Sequence, residues 1–163
     1  MSSLAYTDAE WRAVEPAFEQ AEEQARTHPD RRDVFLCHAW ADREGAAKEL
    51  HDLLEARDVK VWFSEKDVVL GTSLLRAIDK GLRHSRIGIV LATPALLKSL
   101  AAEGIADKEL AALLATERVI PVAHETTMDA VRDESPLLGS RAGLTSAGSL
   151  DDIAAKIADA VKL

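Results

Sequence analysis

Two short stretches of this chain are greasy almost throughout: "VFLC" at Val34–Cys37 and "RIGIVLA" at Arg86–Ala92. A strand with one wet face alternates apolar and polar residues. These do not alternate, so they read as strands buried on both faces, the condition met in parallel sheets covered by helices on each side. "VKVWF", Val59–Phe63, is rich in β-branched and aromatic residues and reads as another strand. "GLTS" can hold a short fifth. "VIPVA" at Val119–Ala123 reads as a strand, and Pro121, which lacks a backbone donor, suggests that it lies near a sheet edge.

Helical patterns fill the gaps. Ala46, Ala47, Leu50, Leu53 and Leu54 share a face, with Asp42 placed to cap that helix. "SEKDVVLGTS" reads as a loop ending in a cap at Thr72 or Ser73, ahead of Leu74, Leu75, Ile78 and Leu82. A long helix is expected from about Pro94 to Glu117, and a short one near Met128–Arg132. "SLDD" at Ser149–Asp152 caps a last helix carrying Leu150, Ile153, Ile157 and Val161. Alternating strands and helices with short links give an α/β fold with a parallel sheet.

Residues 1–30 read as a helical extension and 31–163 as the domain. "TDAE" at Thr7–Glu10 has the capping-box pattern, and Trp11, Val14, Phe18, Ala21 and Ala25 recur at helical spacing. Pro16 either kinks this helix or sits in the first turn of a second one. "THPDRRD" is a polar linker.

The chain has 163 residues, enough for one full core, and a net charge of -8. That balance lacks the field that draws in nucleic acid or anionic lipid. No stretch is apolar enough to span a bilayer, and "MSSLAYTDAEW" lacks the basic-then-apolar order of a signal peptide. The lone cysteine, Cys37, lies in a greasy run and reads as a buried structural thiol. A cytoplasmic protein that binds neither nucleic acid nor membrane is expected.

Ligands on such sheets bind beyond the carboxyl ends of the strands. The positions to inspect are therefore His38 to Asp42, Ser64 to Ser73, Thr93 and His124. There is no G-x-G-x-x-G, no G-x-x-x-x-G-K-[ST] and no G-x-S-x-G. A phosphoryl receiver needs an aspartate ending the third strand, where this chain has Leu91-Ala92-Thr93. "HAWADREG" is not the hydroxyl-rich phosphate loop of a flavodoxin, and the histidines and cysteine show no metal-ligand spacing, so no metal site is expected.

"DVFLCHAWAD" at Asp33–Asp42, followed by "VWFSEKDVVLGTSLLRAIDKGL" at Val61–Leu82, resembles a bacterial TIR (Toll/interleukin-1 receptor) domain. His38–Trp40 matches the short polar box that ends the family's first strand. Trp62, Phe63, Glu65, Gly71 and Ser73, then Ile78 and Gly81-Leu82, match its second strand and long BB loop. "ATPALLKS" resembles the segment after its third strand, and "DKELAALLA" at Asp107–Ala115 its glutamate-bearing helix. The resemblance covers about residues 32–163. It implies a flavodoxin-like three-layer sandwich with a mainly parallel five-stranded sheet in the order 2-1-3-4-5.

Many bacterial TIR domains are NAD⁺ glycohydrolases or cyclases. The resemblance therefore implies cleavage of the nicotinamide–ribose bond, with NAD⁺ as substrate, no further cofactor, and Glu109 as the essential carboxylate. It also implies substrate contacts from His38, Ala39, Trp40, Arg43, Ser64, Glu65, Gly71, Thr93 and Ile105. Ile105 stands where the family often has an aromatic residue, and Ser64 where it often has an acid. Self-association through the BB loop, about Ser64–Ser73, and a separate effector that senses the product follow from the same resemblance. So does a likeness to the signal-producing component of Thoeris-type antiphage systems. The other reading, from a different class, is a non-enzymatic TIR adaptor or virulence protein acting through TIR–TIR contacts.

The residue types suit the chemistry. Glu109 belongs to a stripe with Ala102, Ile105, Ala106 and Leu113, and a carboxylate on an apolar stripe is partly desolvated, which strengthens its pull on a cation. The bland reading of Glu109 is a salt bridge to Lys108 or Arg118. Trp40 can stack on nicotinamide or adenine, or it can cover the core. His38 can hydrogen-bond a phosphate or ribose hydroxyl, or serve structure alone. Arg43 can face the diphosphate or point to solvent. Gly71 serves the BB-loop backbone, and Val68, Val69 and Leu70 form an apolar tip suited to a contact.

Overall fold

A computed structural model describes residues 15–16, 19–20, 22–23, 26–28, 30–63, 74–103, 111–112, 114–140, 143–145 and 149–161, with backbone only at 40, 62–63, 74–77, 102–103, 140 and 159–160. The elements are β1 (Arg32–Cys37), a 3-10 turn (Trp40–Asp42), α1 (Ala46–Glu55), β2 (Val61–Phe63), α2 (Leu74–His84), β3 (Ser85–Ala92) and α3 (Pro94–Glu103). They continue with β4 (Val119–Ala123), α4 (Met128–Glu134), α5 (Pro136–Ser140), β5 (Leu144–Thr145) and α6 (Leu150–Val161). The strands form one five-stranded sheet in the order β2-β1-β3-β4-β5. All four pairings are parallel.

The unbroken apolar runs are explained by two cores, one on each face. Val34 and Leu36 of β1, with Ile87, Ile89 and Leu91 of β3, pack under Leu50 and Leu54 of α1 and Ile153 and Ile157 of α6. Phe35 and Cys37 of β1, with Val90 and Ala92 of β3, face the other way, onto Ile78 of α2, Leu96 and Leu100 of α3, Val131 of α4 and Leu138 of α5. Successive side chains thus enter opposite layers, so no position between Val34 and Cys37 can be polar. Cys37 is the buried free thiol expected of it.

Several boundaries shift. β1 begins at Arg32, two polar residues before the greasy run, because both side chains find partners. Arg32 donates to the Val61 carbonyl at 2.9 Å, and Asp33 accepts from Lys60 N–H at 2.9 Å and from Arg86 at 3.1 Å. β2 is confined to Val61–Phe63. The helix expected from Pro94 to Glu117 is seen over Pro94–Glu103 and again at 111–112 and 114, with a turn at 115–117. α5 was not anticipated: Pro136–Ser140 is too short for a periodic pattern. Pro121 lies in the strand next to the two-residue edge strand, as its missing donor suggested. Ser149 does cap α6, accepting from Asp152 N–H at 3.4 Å.

In the extension, backbone is helical at 15–16, 19–20, 22–23 and 26–27, so Pro16 sits within helix. The Thr7–Glu10 capping box and Trp11, Val14, Phe18, Ala21 and Ala25 lie outside the described residues.

At the amino edge of the sheet, the nearly buried Arg118 guanidinium donates to three carbonyls. Nε reaches Arg86 at 2.9 Å, and one terminal nitrogen reaches Leu82 at 2.8 Å and Ser85 at 2.6 Å. It thereby satisfies the carbonyl end of α2, where a cation is favoured. Burial, reinforced by the charge of Arg31, lowers its pKa to about 10.

Candidate functional site

The carboxyl edge of the sheet is stepped. β1 ends at Cys37, opposite Val90, while β3 runs two residues further to Ala92. Ala92 still pairs with Ala123 of β4, and its carbonyl accepts from His124 N–H at 2.9 Å. Phe63, beside Leu36, brings β2 to the same edge. His38, Thr93 and His124 are therefore the first residues beyond three adjacent strands.

The step is filled by the turn after β1. Trp40–Asp42 is 3-10 helical, with Asp42 N–H donating to the Ala39 carbonyl at 3.0 Å and Gly45 N–H to the Asp42 carbonyl at 3.0 Å. His38 Nδ1 lies 2.8 Å from the Ala39 carbonyl. A carbonyl only accepts, so Nδ1 carries a proton, and in the neutral ring Nε2 holds the lone pair.

Across the step, Thr93 Oγ1 donates to Asp42 Oδ2 at 2.5 Å. The same hydroxyl accepts from Leu96 N–H at 3.1 Å, and the Thr93 carbonyl accepts from Leu97 N–H at 3.0 Å. Thr93 is thus the N-cap of α3, with Pro94 in the first helical position that suits proline. Only 3% of its surface is exposed.

This overturns the sequence-based role of Asp42. The cap residue of α1 is Gly45, with no side-chain cap bond. The 3-10 turn and the turn after it place Asp42 four residues before Ala46, too far back to reach the first free N–H groups of that helix. Its carboxylate holds Thr93 instead. Asp42 is the site residue that sequence reasoning misassigned. The Thr-Pro pair at 93–94 marked one half of the contact, but nothing local marked the other.

Of the residues proposed to meet substrate, His38, Ala39, Trp40, Arg43 and Thr93 gather at this edge. Ala39 is buried, His38 and Arg43 are half-buried, and Trp40 contributes backbone to the turn. His124 is half-buried, with Nε2 3.7 Å from Glu125 Oε1, and Glu125 is exposed with φ of 58°. Ser64, Glu65, Gly71, Ile105 and Glu109 lie outside the described residues, as do the BB-loop tip Val68–Leu70 and the cap at Thr72 or Ser73. Ala102 is described as helical backbone, and Ala106 and Leu113 lie outside.

A doubly wound parallel sheet with polar residues at its carboxyl edge, between the ends of β1 and β3, defines an α/β domain of the flavodoxin-like class, whose ligands bind at such an edge. Residues 34–159 match the TIR domain family, and this chain belongs to it. It is 33% identical over 135 residues to the 2' cyclic ADP-D-ribose synthase AbTIR of Acinetobacter baumannii, covering 79% of this chain and 49% of that protein. It is 35% identical over 130 residues to the NAD(+) hydrolase TcpA of a Theionarchaea archaeon, covering 77% of this chain and 38% of the relative. The NAD(+) hydrolase PdTIR of Paracoccus denitrificans is 34% identical over 131 residues, 77% of this chain and 42% of its own length. This chain thus spans less than half the length of these relatives. Among solved structures, a metazoan TIR-STING receptor from C. gigas superimposes with a TM-score of 0.58 at 21% identity over 83% of this chain and 41% of that one, a likeness of fold. No helix among the described residues is long and apolar enough to cross a membrane.

Proposed function

We propose that this TIR domain cleaves the nicotinamide–ribose bond of NAD⁺, releasing nicotinamide and either ADP-ribose or a cyclic ADP-ribose isomer. The observation that carries this reading is the identity of about one third to relatives named as an NAD(+) hydrolase and as a 2' cyclic ADP-D-ribose synthase. Nicotinamide leaves as a neutral molecule from a pyridinium, so no general acid is required. What needs stabilising is the oxocarbenium-like ribose, and one carboxylate beside it can do that. Glu109 takes this role in the proposal. Water, or a hydroxyl of the same molecule, then bonds to the anomeric carbon and loses its proton, which decides between the linear and cyclic products.

His38, Ala39, Trp40 and Arg43 stand at the edge where such a substrate binds, and Ser64, Glu65, Gly71 and Ile105 complete the proposed contacts. Self-association through Ser64–Ser73 would assemble the site, and the product would act as a signal, in antiphage defence, on a separate effector. A cytoplasmic setting is part of the same proposal.

The test is chromatography of NAD⁺ incubated with concentrated protein, wild type beside Glu109→Gln. Nicotinamide release by the wild type alone is expected, and the co-product peak separates ADP-ribose from a cyclic isomer. Release by both proteins removes Glu109 from the catalytic role. Release by neither, at any protein concentration and in lysate of phage-infected cells, favours the adaptor reading.

A further inference from the structure

We infer that the Asp42–Thr93 hydrogen bond is a positioning strut that sets the turn His38–Arg43 against the start of α3, and so places the residues proposed to hold NAD⁺. The inference rests on the proposed NAD⁺ reaction and adds to it two residues that act without touching substrate.

Four observations carry it. The bond joins residues 51 positions apart, across the step where β3 outruns β1, and nothing in the sheet ladder links those two segments beyond the Cys37–Val90 pair. It runs from a hydroxyl donor to a carboxylate oxygen at 2.5 Å, and hydrogen bonds to carboxylates belong to the stronger class. The Thr93 hydroxyl donates its one proton to Asp42 and accepts from Leu96, in a side chain almost without exposed surface. It is therefore turned to the protein rather than offered to a ligand. Finally, Asp42 is not an isolated anchor. Its N–H holds the Ala39 carbonyl, and that carbonyl holds the His38 ring. A displacement of Asp42 is passed to Ala39, across the turn that holds Trp40, and from Ala39 to His38. One hydroxyl thus ties the turn that would hold the dinucleotide to the start of α3. Misplacement by about 1 Å of a group that orients substrate is enough to change turnover many-fold.

The substitutions separate strut from cap. Asp42→Ala removes the strut and leaves Thr93 free to cap α3. Thr93→Val removes both. Thr93→Ser keeps both. For each, KM and kcat for NAD⁺ are measured by nicotinamide release, beside the melting temperature. The expected result is a KM raised roughly tenfold in Asp42→Ala and in Thr93→Val, with restoration to near wild type in Thr93→Ser. The double variant Asp42→Ala/Thr93→Val should be no worse in KM than either single one, because the two residues act through one bond. A melting temperature lowered with KM within about twofold of wild type would overturn the inference and leave the pair a structural cap. If Asp42→Ala does not fold, Asp42→Asn decides. Its neutral acceptor should raise KM about threefold, and an unchanged KM overturns the inference. A wild type that releases no nicotinamide overturns the proposed function and this inference together; a wild type that releases it, with variants of unchanged KM, overturns the inference alone.

Discussion

Phe35 on β1 and Gly88 on β3 are register partners, and the Phe35 ring occupies the space that any side chain at 88 would need. A Cβ on Gly88 would come within 2.0 Å of the ring, and one on Gly81 of α2 within 2.4 Å. The ring is therefore clasped between strand and helix by two glycines, and α2 lies closer to the sheet than a larger residue would allow. Gly88→Ala should destabilise the domain by about 3 kcal/mol, since a core already at crystal-like density has no room for the methyl group. Urea denaturation checks this. Phe35→Leu placed in the same chain should recover part of the loss, while purely additive losses would show that the clash lies elsewhere.

Arg118 should be as hard to replace as a core residue. Lysine offers one compact ammonium where the guanidinium reaches three carbonyls in fixed directions, so Arg118→Lys should lose about 2 kcal/mol. Arg118→Met, which leaves the carbonyls of Leu82, Ser85 and Arg86 without this donor, should lose about 3 kcal/mol. The pH dependence has a definite sign. The folded-state pKa is lowered to about 10, well below the ordinary arginine value, so the unfolded chain binds the proton more tightly. This group's contribution then becomes more favourable only as pH rises past about 10, and it is flat below. The destabilisation of Arg118→Met measured by urea should accordingly be the same at each pH from about 6 to 9. A loss that varied steeply over that range would point to a different titrating group.

The layers were legible because the strands between Val34 and Ala123 are apolar on both faces, and only a covered parallel sheet needs that. The five-stranded order was carried by the family resemblance rather than by pattern, and the structure bears it out. Where reading failed, the cause was local. Arg32 and Asp33 look like linker, yet they begin β1 because partners on β2 and β3 accept them. Asp42 has the residue type and rough placement of a helix cap, and sequence cannot show that a 3-10 turn carries it away from α1. Its true partner, Thr93, is 51 residues distant, beyond any window in which spacing is informative. The strand-end position of His38 and Trp40 was readable because the greasy run stops so abruptly at Cys37.

Specific activity should rise with protein concentration if Ser64–Ser73 completes the site on a neighbouring copy, as proposed. Nicotinamide release per mole of protein, followed across a dilution series from about 0.1 to 100 μM, checks it, since linked assembly makes activity concentration-dependent. A flat series would mean that each protomer carries a complete site. Replacing Val69 with aspartate at the proposed apolar tip should then change nothing, whereas under assembly it should shift the curve to higher concentration.

Trp40 is the residue whose two roles are most cleanly separated by experiment. Its backbone lies in the 3-10 turn, one residue from Ala39 and two from Asp42, at the edge where the nicotinamide or adenine ring would approach. Stacking of a base on an indole contributes about 1–3 kcal/mol, so Trp40→Ala should raise KM for NAD⁺ roughly tenfold or more while lowering the melting temperature little. Trp40→Phe retains an aromatic face and should recover most of the affinity, which a loss of bulk alone would not predict. Kinetics and thermal melts on the same three proteins decide between the roles. If Trp40→Ala melts far below wild type yet keeps a normal KM, the indole is a lid on the core, and the base would have to stack elsewhere along the strand ends. The Asp42–Thr93 strut would then hold a turn whose contribution to binding comes from His38, Arg43 and backbone alone. In that case Asp42→Ala should still raise KM in a Trp40→Ala background, by the same factor as in the wild type.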